Sequence, residues 1–263
     1  MSVLIKIFGI SLVSILMVGL LGCRQPNLYK DVYEAERLRY ERKYRAAIAR
    51  YEAAAKKFPH FPDDTKIINV EFLTLFNYGI AFCYAKLAET EGDIVLYVKA
   101  EAAAKESYQT AILPSNQVDP LYLWGYILFK QERYEEARAK FEALLERLRH
   151  NGSEGDFPPK AFPEFVSEGD VSAEALFGLG KAYLALGDKA AARQAFAQFN
   201  KRIEILKQKT SSRVYIAEAL FGLGKAYLAL GDEPAAQRAF ARHLKHFPDS
   251  PHKPEVQRLL EKP

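Results

Sequence analysis

The stretch Ala173 to Asp188, AEALFGLGKAYLALGD, recurs letter for letter at Ala217 to Asp232. An identity of this length, offset by 44 residues, marks a duplicated structural module that buries its apolar face against a neighbouring copy. Its chemistry says what the module is. Leu176, Leu179, Gly180, Tyr183 and Leu186 follow a three-and-four spacing that lays one stripe along a helix. Gly187-Asp188 then interrupts it, since glycine accepts the left-handed conformation that closes a helix and aspartate caps the amides of the next. A second helix is predicted from Ala192, Ala195 and Phe196 in one copy and Ala236, Ala239 and Phe240 in the other. Pro234 lies near its start, where a missing N–H costs little.

Numbered from Ala173 or Ala217, each unit has leucine at places 4 and 7, glycine at 8, tyrosine at 11, alanine at 20 and phenylalanine at 24. This pattern resembles the tetratricopeptide repeat. Small residues at 8 and 20 let two helices approach, and large ones at 4, 7, 11 and 24 fill the space between layers. Pro248 falls at place 32 of the later copy, where the family ends its second helix; Glu204 holds that place in the earlier one, and the helix is expected to run on toward Lys209.

The rest of the chain reads as more diverged copies. With Leu28 at place 1, Ala35, Leu38, Ala47, Tyr51 and Pro59 fall in register. A longer helix is predicted from about Lys66 to Glu91, with Gly79 among its small positions; its partner carries Ala104, Tyr108 and Ala111 and stops at Pro114. Val118 opens a third unit with Leu121, Trp124, Gly125, Leu128, Ala137 and Phe141. The expected fold is all-α, an α-solenoid of about five helix pairs near 28–61, 72–117, 118–151, 173–206 and 217–250. An irregular loop, 151–172, rich in Gly and Pro but carrying Phe157, Phe162 and Phe165, separates the third unit from the fourth, and 251–263 caps the end.

Residues 1–22 are a different kind of sequence: Lys6, then an apolar run from Ile7 to Leu21, then Gly22-Cys23. The run is shorter than the roughly 20 residues that span a bilayer and reads as a secretion signal. Leu20-Leu21-Gly22-Cys23 is similar to the lipobox of bacterial lipoproteins, and that resemblance implies a diacylated Cys23 as the first residue of the mature chain. The competing reading is an uncleaved membrane anchor. Residues 23–27 make a tether that reaches about 15 Å, so the folded body is expected to lie close to the membrane. Between Leu28 and Lys57 there are nine basic and five acidic residues. They are either a face attracted to anionic head groups or a solvated surface laced by pairs such as Glu41-Arg45 and Glu52-Lys56.

With Cys23 lipidated, Cys83 is left alone and no internal disulfide can form; its apolar helical setting suits a buried thiol. A net charge of +4 is too mild for nucleic-acid binding. On the repeat template, places 2, 5, 9 and 12 of each first helix line a concave face. They hold Phe76, Ile80 and Cys83, then Tyr122, Tyr126 and Phe129, then Phe177, Lys181 and Leu184, then Phe221, Lys225 and Leu228. Left open, these would form an apolar patch large enough to imply a partner's apolar segment or a greasy ligand, with Lys181 and Lys225 offering cations to carboxylates. Alternatively they are ordinary core. The family variant that clamps a peptide carboxylate carries lysine and asparagine where this chain has phenylalanine and leucine.

No catalytic constellation is evident. Gly178-Leu179-Gly180-Lys181 lacks the spacing and the hydroxyl residue of a phosphate loop. His243 and His246 lie one turn apart with His252 beyond; these three either hold a metal or simply favour a helix end and solvent. The expectation is a non-enzymatic scaffold without cofactor, metal or nucleic acid. It is anchored through Cys23 to the cell membrane or the outer membrane and faces the periplasm. There it binds a protein partner in an envelope complex for outer-membrane assembly or transport, or, as the alternative, carries an apolar small molecule or lipid.

Overall fold

The Gly-Asp pairs turn the chain as their chemistry requires. Gly187 stands at φ +82° and Gly231 at +74°. The next amides donate back across the turn, Asp188 to the Tyr183 carbonyl at 3.0 Å and Asp232 to Tyr227 at 2.9 Å. The aspartates then cap the following helix, accepting from the Ala191 N–H at 3.0 Å and the Ala235 N–H at 3.1 Å. Lys43 donates to Leu38 at 2.8 Å and Arg133 to Leu128 at 3.0 Å in the same way, with Arg42 and Glu132 in the left-handed position that glycine fills elsewhere. One turn geometry is thus reused where the sequences share nothing.

The computed structural model describes residues 26–57, 66–150, 170–209 and 213–261. The signal segment, Cys23 and all of the 151–172 loop up to residue 169 lie outside the described residues. Among those described there are eleven α-helices, one 3-10 turn and no strand. They are α1 Pro26–Tyr40, α2 Tyr44–Lys57, α3 Lys66–Glu91, α4 Ile94–Thr110, the 3-10 turn Pro114–Gln117, α5 Val118–Lys130 and α6 Tyr134–His150. Then follow α7 Val171–Ala185, α8 Lys189–Lys209, α9 Arg213–Leu230, α10 Glu233–His246 and α11 Lys253–Leu260. The fold is an all-α solenoid of helix pairs, and the chain divides into two units, Met1–Ser167 and Glu168–Pro263.

In three of the repeats the glycine at place 8 receives a ring from its own second helix. A Cβ on Gly180 would stand 2.5 Å from Phe196, on Gly224 2.3 Å from Phe240, and on Gly125 2.9 Å from Phe141. The second pair departs from this. Gly79 receives Tyr51 of α2, at 2.5 Å from the same hypothetical Cβ, rather than a ring of its own partner α4. The long α3 and α4 are instead tied near one end by polar bonds, Ser107 Oγ donating to the Thr74 carbonyl at 2.7 Å and Thr110 meeting Thr74 at 3.1 Å. Two boundaries also move. α4 ends at Thr110, with Ala111 already extended; Leu113, directly before Pro114, is extended too, as the proline requires. α1 begins at Pro26, which fits a first turn, so the expected tether loses two residues to the helix.

The basic stretch Leu28 to Lys57 is laced both along α1, where Arg39 meets Glu36 at 2.6 Å, and across to neighbouring helices. Arg50 reaches Glu34 at 3.1 Å, Lys57 pairs with Asp31, and Arg45 reaches Glu91 of α3 at 2.6 Å. Glu41 pairs with Lys43 at 2.8 Å and Arg37 at 3.6 Å, not with the expected Arg45. Cys83 is fully buried.

Candidate functional site

The concave places divide by burial. In the first unit Phe76, Ile80 and Tyr122 are core residues. Phe76 lies 6.3 Å from the Tyr51 ring and Tyr122 6.0 Å from Phe141. In the second unit Phe221 is buried as well. These four do not line an open groove: close helix stacking turns their rings into the space between layers, where area removed from water stabilises most. Tyr126, Phe129, Phe177, Lys181, Leu184 and Leu228 are half-buried, and Lys225 is exposed.

What remains accessible is amphipathic rather than greasy. In the first unit the Tyr126 hydroxyl donates to Glu89, which also accepts from Lys86 at 3.0 Å, while Lys130 Nζ stands 5.4 Å from the Tyr126 ring. Burial opposes the charge on Glu89, but the bonds from Tyr126 and Lys86 outweigh it and hold the carboxyl below its usual range. Phe129 packs beside Tyr134, ring centroids 5.3 Å apart.

In the second unit the duplicated helices α7 and α9 carry matching couples of phenylalanine and lysine. Lys181 Nζ lies 5.7 Å from the Phe177 ring, and Lys225 Nζ 5.2 Å from Phe221. Each lysine stem covers its ring while the ammonium stays toward water. Phe177 is pinned from behind by Phe199 at 5.0 Å and from the side by α9, where a Cβ on Gly222 would meet it at 3.0 Å. The Phe221 couple is engaged by the end of the chain. His252 stacks on Phe221 at 4.0 Å and 9°, its Nε2 lies 2.7 Å from Glu218, and Glu255 meets Lys225 at 3.4 Å. Val256 of α11 is fully buried against Phe221 and Phe240, so α11 packs as the first helix of a further repeat would.

The three histidines take separate roles. His243 is fully buried, not solvated at the helix end as expected. Its Nδ1–H donates to the Ala217 carbonyl at 3.0 Å, and its Nε2 has no partner among the described residues. Packing decides this, because residue 243 lies on the face of α10 that meets α9. His246 lies beside Lys207 at 3.4 Å, and His252 is the stacked residue on Phe221. Among the described residues no three His, Cys, Asp or Glu side chains converge as metal ligands. Gly178 to Lys181 lie inside α7, where their amides serve the helix.

Sequence reasoning passed over Glu36 and Arg39, at places 9 and 12 of the first repeat. Arg39 is 3% exposed, donates to Glu36 at 2.6 Å and stands 5.0 Å from the Phe82 ring. The Tyr51 hydroxyl also donates to Glu36. Burial works against the charge on Arg39, but Glu36 reverses the balance and raises its pKa; burial, with Glu36 beside it, raises that of Tyr51 too. The signal was an i,i+3 pair of opposite charges on an otherwise apolar stripe.

Three segments, 121–147, 174–202 and 218–250, match the tetratricopeptide repeat family. Among curated proteins none matches the sequence. Of solved structures, apo RapI aligns with a TM-score of 0.60 at 16% identity over 88% of this chain and 74% of that one. BtubC from P. vanneervenii aligns at 0.58 and 19% over 89% and 82%. A Rap conjugation gene regulator of the plasmid pLS20, in complex with the Phr peptide, aligns at 0.56 and 16% over 90% of this chain and 59% of that one. The chain therefore carries tetratricopeptide repeats in these segments, within an all-α solenoid of the kind that these proteins share.

Proposed function

We propose that this chain is a non-enzymatic scaffold that binds a segment of a protein partner through the first-helix faces of its repeats. A lipid on Cys23 holds it in a bacterial envelope, facing the periplasm as a subunit of an envelope complex. The observation that carries the binding reading is the pair of matching phenylalanine and lysine couples on α7 and α9, each followed at place 12 by a half-buried leucine, Leu184 or Leu228. The couple at Phe221 already holds a flat ring and a carboxylate, those of His252 and Glu255. A partner segment pairing acidic with apolar side chains meets the same chemistry along this face. The peptide-bound Rap regulator adds support by analogy of fold.

The test is Leu184→Glu combined with Leu228→Glu. Neither position is fully buried, so the helical spectrum is expected to stay unchanged while capture of the partner from solubilised envelopes is lost. Capture at the original level by the folded double variant rejects this face as the binding surface.

A further inference from the structure

The end of the chain is bound by the chain's own last repeat. Three side chains do this, and each contact is direct. The His252 ring stacks on Phe221 at 4.0 Å, Glu255 reaches Lys225 at 3.4 Å, and Val256 is fully buried against Phe221 and Phe240. Spaced three and four residues apart, a ring, a carboxylate and a β-branched aliphatic share one side of α11.

The hold is light. α11 has eight residues, fewer than the roughly 12–15 at which an isolated helix becomes even marginally stable, so it is helical only while docked. Val256 is its one fully buried residue, whereas α10 buries Ala235, Ala236, Ala239, Phe240 and His243. The Lys225–Glu255 pair joins side chains 55% and 43% exposed, and Glu218, 2.7 Å from His252 Nε2, is 54% exposed; pairs so open to water contribute little. The link from α10 contains Pro248 and Pro251, which have no N–H to give. Its bonds from Ser250 to the Phe247 carbonyl at 3.1 Å and from Lys253 to the Ser250 carbonyl at 3.0 Å stay within the link. Beneath α11 lie the Phe221 ring and His243, which stands edge-on to His252 at 6.1 Å and whose Nε2 has no partner among the described residues. Rings uncovered in this way call for a new occupant rather than water.

We infer that α11 is a detachable latch: it closes the last first-helix face and yields it to a partner helix presenting the same three side chains, a flat ring, a carboxylate three residues on and a β-branched aliphatic next to it. The inference rests on the proposed binding through the first-helix faces and adds its regulation. The short link keeps α11 at high local concentration, so a partner lacking part of the pattern loses the competition.

The probe is a fluorescein-labelled peptide of residues 250–261, added to the full chain and followed by anisotropy. Val256→Asp puts a carboxylate into the buried place and undocks α11; with the internal competitor gone, the peptide is expected to bind at least about tenfold more tightly than to the parent. His252→Ala with Glu255→Ala keeps the buried valine, so this second variant serves where the first fails to fold, and a gain of about threefold or more is expected. A peptide carrying Glu255→Lys is expected to lose the gain. In hydrogen exchange on the parent, the amides of 256–261 are expected to exchange at least about 100-fold faster than those inside α9 and α10. Equal peptide affinity in the parent and the folded variants, or α11 amides as protected as those of α10, overturns the latch and leaves the binding face standing. Tighter peptide binding in the variants, together with partner capture that survives Leu184→Glu and Leu228→Glu, overturns instead the reading on which the latch rests.

Discussion

Gly224→Ala tests the layer packing where propensity and structure demand opposite signs. In a helix interior alanine is favoured over glycine by about 1 kcal/mol, so propensity alone makes the variant more stable. The structure reverses this. The new Cβ falls 2.3 Å from Phe240 Cε1, 2.6 Å from Cδ1 and 2.7 Å from Cζ, all inside van der Waals contact. Phe240 is 1% exposed and has no solvent side to move into. Overpacking of this kind costs about 1–3 kcal/mol, and the 2.3 Å approach places this site in the upper part of that range, so after the propensity gain a net loss of about 1–2 kcal/mol is expected. In thermal unfolding followed by circular dichroism this lowers the transition of the second unit by roughly 5–10 °C. Phe240→Leu removes the overlapping edge, and a double-mutant cycle is expected to return a coupling of about 1 kcal/mol. Gly125→Ala, with its closest approach at 2.9 Å, is expected to cost less. A Gly224→Ala protein as stable as the parent, or more so, refutes the packing account.

Glu132 sits at φ +62° in the turn place that glycine holds in the duplicated units; Glu132→Gly is expected to stabilise by about 1 kcal/mol in urea unfolding, and a loss of stability contradicts the shared turn geometry. Burial holds the His243 imidazole below its ordinary value; His252 adds to the depression, and the Ala217 carbonyl and Glu218 partly oppose it. The unfolded chain therefore binds a proton that the folded unit refuses, so this contribution is complete above the unfolded pKa of about 6.5 and is lost as the pH falls toward the folded value. Urea midpoints are expected to drop between about pH 7.5 and about pH 5.5, by less in His243→Asn than in the parent, and equal drops remove His243 as the cause. Cys23→Ser is expected to release the protein from membranes, and association that persists at high salt rejects the lipid anchor.

The duplicated segment made the fold legible, because helix periodicity, Gly-Asp turns and place 8 glycines all act within one unit. Helix α3 was readable to its end residues for the same reason. The turns at Arg42 and Glu132 were less visible, since the helix stop there is held by the reach-back bond to Leu38 or Leu128 rather than announced by glycine. The site was harder to read. Places 2, 5, 9 and 12 name positions on one helix, but whether a ring there meets water depends on the next helix in space. Phe177 and Phe221 have the same local sequence, yet Gly222 packs against one and His252 stacks on the other. The buried Arg39 and Glu36 escaped notice because a charged pair on helix α1 reads as surface until Tyr51 and Phe82 close around it. His243 likewise seemed a helix-end histidine until its bond to Ala217 tied it into the α9–α10 contact.

Site-specific photo-crosslinking in intact cells tests the binding claim most directly. A photoreactive residue is placed at Leu184 or Leu228 on the first-helix face, and at Arg193 or Arg238, which are exposed on the second helices α8 and α10. The expected result is one protein adduct formed from 184 and 228 and absent from 193 and 238. Adducts confined to 193 and 238, or none from any position, contradict a scaffold that holds its partner through the first helices.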